Sequence, residues 1–229
     1  MSRVACADPE LASALGLPQG QADFVLEYVA GVLHLRDTRP GAPGPICADF
    51  ASQAAENRRK AGRGLLLAKA IGVKPSQQLS VLDATAGLGR DSYALASLHC
   101  SVTAVERSPV VAALLRDALY RASQDPAVAR ISLLLADARE QMQAARYDVV
   151  YLDPMFPDRR KSAKVKKEMQ YMQELLGQDD GSELLAPALQ AATRRVVVKR
   201  PVHAPQLHSV AQPSHVHKGK SVRFDVYLP

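Results

Sequence analysis

The sequence has no apolar run of about 20 residues, the length that a helix needs to cross a bilayer. Residues 1–19 lack a basic start followed by a long apolar segment, so we expect no secretory signal. The three cysteines, Cys6, Cys47 and Cys100, form no Cys-x-x-Cys pair, which argues against a zinc site and a disulfide framework. These absences predict a cytoplasmic protein with no membrane partner and no metal.

The overall composition is that of a folded globular chain. Hydrophobic residues make up 47% of the 229 residues and charged residues 23%, which excludes a disordered or fibrous protein. The length suits one large domain, or one domain with a small appendage.

Positive charge is concentrated in two short clusters. Lysine and arginine outnumber the acids by six, and the two clusters contain ten cations, so the rest of the chain is slightly acidic. This distribution favours a polyanionic partner over a merely solvated surface. The predicted polyanion-binding residues are Arg58, Arg59, Lys60 and Arg63 in the first cluster, and Arg159, Arg160, Lys161, Lys164, Lys166 and Lys167 in the second.

Residues 1–75 are predicted to form a small N-terminal α+β appendage. The β-prone runs Phe24–Val29 and Val32–Leu35 flank Ala30-Gly31, a plausible tight turn, so they predict a hairpin. Helical composition follows at about 49–60 and 65–71.

Residues 76–229 alternate between strand and helix patterns, which predicts an α/β domain with a mostly parallel sheet. Ligands of such sheets bind at the carboxyl ends of the strands. The predicted strands are 79–84, 102–106, 131–136, 147–152, 195–199 and 222–228, and the predicted helices are 91–99, 109–122, a short one from 137, 163–176 and 182–192.

The first strand of this domain runs into a glycine-rich turn from Asp83 to Asp91, which contains Gly87 and Gly89. Glycines let the backbone turn sharply and approach a ligand closely. Glu106 ends the second strand, where a carboxylate can accept both ribose hydroxyls of a nucleoside cofactor. The spacing resembles the Asp-x-Gly-x-Gly-x-Gly turn of S-adenosylmethionine (SAM) methyltransferases, with Asp83 and Asp91 as acceptors for the SAM amine. A nicotinamide enzyme is disfavoured because Ser92 takes the place of the third glycine or alanine.

The fourth strand ends in Asp153-Pro154-Met155-Phe156-Pro157. This pentapeptide resembles the Asn/Asp-Pro-Pro-Tyr/Phe motif of methyltransferases that act on exocyclic amines. The lone pair of such an amine is delocalised into the ring, and acceptors on its N–H hydrogens direct that lone pair toward the methyl group. Asp153 and the Pro154 carbonyl are the predicted acceptors, and Phe156 is predicted to stack on the base.

Together, these stretches resemble one family, the bacterial 16S rRNA (guanine(1516)-N(2))-methyltransferases, the J-type small-subunit enzymes. The resemblance covers roughly residues 45–229 and is most specific from the Asp-Pro-Met-Phe-Pro motif to Lys166-Lys167-Glu168-Met169. It implies a Rossmann-like class I SAM-dependent methyltransferase with 16S rRNA of the small ribosomal subunit as partner, so the two basic clusters become its predicted RNA-binding residues. The implied cofactor residues are Arg90, Asp91, Glu106, Arg107, Asp137, Ala138 and Asp153.

Other functions are compatible with parts of this pattern. A SAM enzyme acting on DNA adenine N6 or on a protein glutamine would use the same Asn/Asp-Pro-Pro-Tyr motif, and a non-catalytic RNA-binding module would have a degenerate cofactor pocket. The intact Gly87, Gly89, Glu106 and Asp153 argue against the module. His215-x-His217 has no third ligand in sight, so the sequence predicts that it is part of a loop and not a metal site.

Overall fold

The computed structural model describes residues 4–75, 77–154, 171, 174, 181–205, 207 and 212–229. The side chains of Ala54, Arg58, Arg59 and Arg63 are not among the described features. Within these ranges the chain forms a three-stranded sheet followed by a seven-stranded sheet with helices on both faces. No helix in the described part combines the length and the apolar character that a membrane crossing requires.

The N-terminal sheet contains the predicted hairpin. Strands β2 (Phe24–Val29) and β3 (Val32–Asp37) pair antiparallel around Ala30 and Gly31, which both have positive φ, as a type I′ turn requires. Strand β1 (Val4–Cys6) adds to β2 in parallel, and helix α1 (Pro9–Leu15) connects the two. The hairpin prediction is confirmed, whereas β1 and α1 were not predicted.

Two helices lead from the N-terminal sheet to the larger one. Helix α2 (Gln53–Ala61) is followed by a 3-10 turn, Gly62–Gly64, and by helix α3 (Leu66–Ile71). Gly72 ends α3 in the left-handed conformation, and its N–H bonds back to the carbonyls of Ala68 and Lys69.

The larger sheet is mostly parallel, as predicted, and its strand order is β6-β5-β4-β7-β8-β10-β9. The strands are β4 (Ser80–Asp83), β5 (Ser101–Glu106), β6 (Ile131–Leu135), β7 (Tyr147–Leu152), β8 (Ala192–Pro201), β9 (His215–Lys218) and β10 (Val222–Tyr227). Among the described residues, the helices between them are α4 (Arg90–Ser97), α5 (Pro109–Arg121), α6 (Ala138–Ala144) and α7 (Ser182–Ala191). All but two residues of the predicted helix 163–176 lie outside the described part. The order reverses between β4 and β7, so the crevice for a ligand opens at the carboxyl ends of these two strands.

Strand β9 corrects one prediction. The segment containing His215 and His217 is not part of a loop, because it pairs antiparallel with β10 as the edge strand of the sheet. Its four residues are largely exposed, because an edge strand buries little of its surface, so it lacks the apolar run that marks the buried strands.

The two faces of the larger sheet are covered differently. Helices α6 and α7 pack on one face. On the other face, α3, α4 and α5 form one apolar cluster that also contains Phe24, Leu26 and Leu35 of the N-terminal sheet. Phe50 stacks on Tyr93 of α4, with ring centroids 4.7 Å apart. The parts of the chain before and after residue 75 therefore share a hydrophobic core.

Candidate functional site

The glycine turn, residues 84–89, connects β4 to α4 and uses its two glycines differently. Both have positive φ, 54° for Gly87 and 74° for Gly89. A Cβ on Gly87 would meet nothing nearer than the Thr85 carbonyl oxygen at 4.0 Å, whereas a Cβ on Gly89 would collide with Leu115 of α5. Gly89 is therefore needed for helix packing, and Gly87 leaves open space beside the turn.

Asp83 lies beneath the turn, with only 1% of its surface exposed. Its carboxylate accepts a hydrogen bond from the Ser92 hydroxyl and another, at 3.3 Å, from the Thr85 N–H. Burial raises the pKa of Asp83 to about 7, although these two hydrogen bonds act in the opposite direction. The structure thus places this predicted cofactor residue where it fixes the turn. In the sequence, Ser92 argues only against a nicotinamide cofactor. Nothing in the pattern indicates that its hydroxyl donates a hydrogen bond to Asp83.

Glu106 connects the end of β5 to the same turn. One carboxylate oxygen accepts from the Gly87 N–H at 3.0 Å, and the other accepts from the Ser108 N–H at 2.8 Å. Burial raises the pKa of Glu106, and the two backbone bonds oppose that shift. The carboxylate is therefore held in a fixed position at the carboxyl edge of the sheet. Its role as a ribose acceptor stays a prediction.

On the β7 side of the crevice, four side chains form what we call the lysine cluster: Asp91, Tyr151, Asp153 and Lys199. Lys199 Nζ lies 2.6 Å from Asp91 Oδ2 and 2.7 Å from Asp153 Oδ2, and it bridges the two carboxylates. The Tyr151 hydroxyl donates to Asp91 Oδ2 at 2.7 Å. Although burial lowers the pKa of Lys199, the two carboxylates raise it above the ordinary value, so the amine stays charged.

The backbone of Asp153 is fixed as well. Its N–H donates to the Thr85 hydroxyl at 2.7 Å, which ties the end of β7 to the glycine turn. Pro154 is buried, and a Cβ built on Gly181 would lie 2.6 Å from the Pro154 Cβ. The chain that leaves the sheet after Pro154 therefore returns against the same proline, where only glycine fits.

The segment after Pro154 also contacts the N-terminal sheet. Tyr171 donates a hydrogen bond to the Pro43 carbonyl at 2.8 Å, and its ring meets Phe24 edge-on, with centroids 5.4 Å apart. Arg39 pairs with Glu174 at 2.8 Å. The long connection from β7 to α7 is thereby attached to residues of the predicted appendage.

The remaining predicted cofactor residues lie near the same edge of the sheet. Arg90 and Arg107 are exposed, at the start of α4 and just after β5. Asp137 is the N-cap of α6, accepting from the Arg139 N–H at 2.8 Å, and Ala138 is buried behind it. The Arg139 side chain also bonds the Asp137 carboxylate and lowers its pKa. This arginine was not predicted.

Much of the predicted RNA-binding surface lies outside the described residues. This applies to Phe156 and to the second basic cluster, which is Arg159, Arg160, Lys161, Lys164, Lys166 and Lys167. In the first cluster, Lys60 is exposed on α2 and pairs with Glu56 at 2.8 Å. The side chains of Arg58, Arg59 and Arg63 are not described, although α2 and the 3-10 turn place their backbones close to that of Lys60.

Comparison with known proteins identifies the family. A family model described as "Putative SAM-dependent methyltransferase" matches residues 10–229. The ribosomal RNA small subunit methyltransferase J of Dechloromonas aromatica is 49% identical, over 95% of this chain and 93% of that protein. The protein of the same name from Pseudomonas aeruginosa is 47% identical, over 94% of this chain and 87% of that protein. The chain belongs to the ribosomal RNA small subunit methyltransferase J family.

A solved structure supports the same assignment. The crystal structure of a SAM-dependent methyltransferase from Neisseria gonorrhoeae is 37% identical to this methyltransferase J family member, with a TM-score of 0.75. The match covers 100% of this chain and 96% of that one. The predicted family, its Rossmann-like class I methyltransferase fold and its use of SAM are confirmed.

The described residues of this methyltransferase J family member fit SAM. The open space at Gly87 lies beside a fixed carboxylate, Glu106, which matches a ribose with two hydroxyl donors. The lysine cluster contains two carboxylates and one ammonium, so its net charge is negative. A negative site suits SAM, because its sulfonium and ammonium groups together outweigh its single carboxylate. Among the described residues, no group of three or more His, Cys, Asp or Glu side chains is arranged to hold a metal.

Proposed function

We propose that this protein methylates the exocyclic N2 amine of a guanine in 16S rRNA of the small ribosomal subunit, the G1516-type position, in the cytoplasm. The observation that carries the proposal is the placement of Asp153. Its backbone is bonded to the glycine turn and its carboxylate to a lysine, so the acceptor motif and the cofactor turn form one site. Relatives that are nearly half identical over almost the whole chain are named for small-subunit rRNA.

The fixed groups account for activation of a poor nucleophile. The amine of guanine shares its lone pair with the ring, and its N–H hydrogens need acceptors before the nitrogen becomes tetrahedral. The Asp153 carboxylate and the Pro154 carbonyl are the proposed acceptors, and the Thr85 hydroxyl keeps Asp153 in place. When bound, SAM supplies an electrophilic methyl group. Because the amine loses its proton after transfer, the protein contributes position and electrostatics and needs no dedicated general base.

We assign the cofactor-binding role to the glycine turn and its surroundings. Glu106 accepts the ribose hydroxyls, and the acidic residue Asp91 faces the amino acid end of the cofactor. Asp83 acts from beneath, by holding the turn through Thr85 and Ser92. Asp137 and Ala138 are assigned to the adenine end, with Arg90 and Arg107 at the rim of the crevice.

The two basic clusters are proposed to hold the RNA backbone. Phosphate contacts give affinity and orientation, and base contacts in the pocket give selectivity. The second cluster begins six residues after Asp153 in the sequence, so we propose that it lies beside the mouth of the site, and Phe156 is proposed to stack on the extruded guanine. We propose that residues 1–75 form an appendage that contributes the first cluster and that residues 76–229 form the methyltransferase domain.

The test is transfer of tritium from labelled SAM to small ribosomal subunits from cells that lack this gene. Free 16S rRNA, DNA and protein are parallel acceptors, and labelled product is digested to nucleosides. We expect the label in N2-methylguanosine from rRNA. Label that appears only in DNA or protein would overturn the proposed acceptor while keeping the cofactor. Absence of label, together with no SAM binding by calorimetry, would favour a non-catalytic RNA-binding module.

A further inference from the structure

We infer that Lys199 is a positioning residue of the reaction, which holds the Asp153 carboxylate toward the acceptor amine. Neither the glycine turn nor the Asp-Pro-Met-Phe-Pro motif includes this lysine, which lies near the end of β8. The inference rests on the proposed function, because it assigns to Asp153 the acceptor role given above.

The first argument is geometry. A single ammonium contacts one oxygen of Asp91 at 2.6 Å and one oxygen of Asp153 at 2.7 Å, distances typical of strong charge-assisted hydrogen bonds. The lysine side chain is 21% exposed, so little water competes for these bonds. With its N–H held by Thr85 and its carboxylate by Lys199, Asp153 has its backbone and its side chain fixed by different parts of the sheet.

The second argument is charge. Asp83, Asp91 and Asp153 come together at the ends of β4 and β7, and each raises the pKa of Tyr151, for which burial is the main cause of the shift. Without a cation, mutual repulsion would favour protonation of one acid. A protonated carboxyl is a poorer acceptor for an N–H. Lys199 therefore keeps Asp153 in the ionised form that the proposed chemistry uses.

The third argument is the number of hydrogen bonds that a carboxylate can accept. An ionised carboxylate offers about four acceptor positions on its two oxygens, so a lysine bound at Oδ2 is compatible with an incoming amine N–H. The same lysine bonds Asp91, at the start of α4. Lys199 thus links a residue proposed to face the cofactor with the residue proposed to face the amine.

The decisive variant is Lys199→Met, which nearly keeps the length of the side chain and removes the charge. We expect kcat for 16S rRNA methylation to fall at least ~100-fold, with KM for rRNA within about threefold of wild type, because misorientation by about 1 Å has effects of this size. Lys74→Met is the matched control, since Lys74 is exposed in the loop before β4. A kcat for Lys199→Met within threefold of wild type would overturn the inference.

A pH profile separates positioning from simple packing. Among the described residues, the charged or titratable groups close to Asp153 include Lys199 on β8, Asp91 on α4, Tyr151 on β7 and Asp83 on β4. Removing the cation makes the Asp153 carboxylate easier to protonate, so the acidic limb of kcat moves to higher pH, by at least about one unit. A limb that stays at the wild-type pH, with kcat reduced, would mean that Lys199 acts only through packing.

Two further measurements test the inference if Lys199→Met does not fold or if 16S rRNA is not a substrate. If Lys199→Met shows no cooperative melting transition, Lys199→Arg decides: it keeps the charge but displaces it, and kcat should fall at least ~5-fold with the acidic limb unmoved. A wild-type kcat in Lys199→Arg would contradict positioning. If the wild type methylates no form of 16S rRNA, the proposed function fails. The inference is then tested by 13C NMR titration of the Asp153 carboxyl. Its pKa should be higher by about one unit in Lys199→Met than in the wild type. If that variant does not fold, the pKa of Asp153 should be unchanged in Lys199→Arg, which keeps the cation.

Discussion

The carboxylates at the glycine turn and those in the lysine cluster are held by different kinds of donor. Asp83 and Glu106, at the turn, accept from backbone N–H groups and a serine hydroxyl. Asp91 and Asp153, in the cluster, both accept from the Lys199 ammonium. Burial raises the pKa of both acids at the turn, whereas the cation in the cluster favours ionised carboxylates. The contacts at the turn thus fix the conformation of the backbone, whereas the contacts in the lysine cluster set the charge of its carboxylates.

The largest expected effect is a loss of turnover when Asp153 of the lysine cluster is replaced. Asp153→Ala removes a proposed acceptor of the amine, and we expect turnover to fall about 1000-fold, comparable to the loss of one preorganised group that stabilises a transition state. Affinity for rRNA should stay within about threefold, because phosphate contacts dominate binding. Single-turnover methylation and filter binding measure the two quantities. Asp23→Ala, at an exposed position just before β2, is the control, and equal loss of turnover and affinity would refute the assigned role.

The next effect is on stability at the turn. Burial raises the pKa of Asp83 from 3.8 to about 7, so the folded state binds more protons than the unfolded state between these values. The contribution of this group is therefore fully present below about pH 4 and is lost as pH rises through 7, by up to ~4 kcal/mol. Asp83→Asn should remove that loss. Urea unfolding of wild type and variant at pH 4.5 and 7.5 tests it, with Asp23→Asn as control. Parallel pH dependences would exclude Asp83 as the source.

Substitutions at the two glycines of the turn should affect different properties, SAM affinity at Gly87 and protein stability at Gly89. Gly87→Ala places a methyl group in open space and costs only the strain of an alanine at a φ of 54°, so we expect a melting temperature within a few degrees of wild type and SAM affinity reduced tenfold or more. Gly89→Ala forces a methyl group against Leu115, which should lower stability by about 2 kcal/mol, or roughly 4–8 °C. Calorimetry and thermal melting distinguish the two. A destabilised Gly87→Ala with unchanged SAM affinity would reverse the assignment.

Substitutions in the second basic cluster should weaken RNA binding and leave SAM binding at the glycine turn unchanged. Replacing Arg159, Arg160 and Lys161 together by alanine should weaken rRNA binding and reduce the slope of log K against log salt, by about 0.7 for each phosphate that the variant no longer neutralises. SAM affinity should not change. Measuring rRNA affinity between 50 and 200 mM salt, about the range in which phosphate binding weakens, provides the test. An unchanged slope would remove these three residues from the proposed RNA interface.

Sequence patterns predicted the turn better than the cluster, for a physical reason. Local spacing identifies Gly87, Gly89 and Glu106, because one turn and the next strand end bring them together. Lys199 has no such signal. It follows three valines in a buried strand, and its partners are distant in sequence, so only the sheet brings it to them.

The same reasoning explains which strands were predicted. The parallel strands β4, β5 and β7 are largely buried and appear as apolar runs. Strand β9 is polar at the sheet edge, and β1 has only three residues that depend on β2 for pairing. Short strands whose stability comes from a neighbour leave little pattern in their own sequence.

The smallest expected effect concerns the attachment of the long connection to the N-terminal sheet. Tyr171→Phe removes the hydrogen bond to the Pro43 carbonyl but keeps the ring against Phe24, so stability should fall by about 1 kcal/mol. If this attachment orients the connection that carries the basic cluster, KM for rRNA should rise about threefold, with SAM affinity unchanged. Tyr120→Phe, at an exposed position on α5, is the control. A change in SAM affinity instead would show that the N-terminal sheet acts on the glycine turn, where Phe50 packs near Gly89.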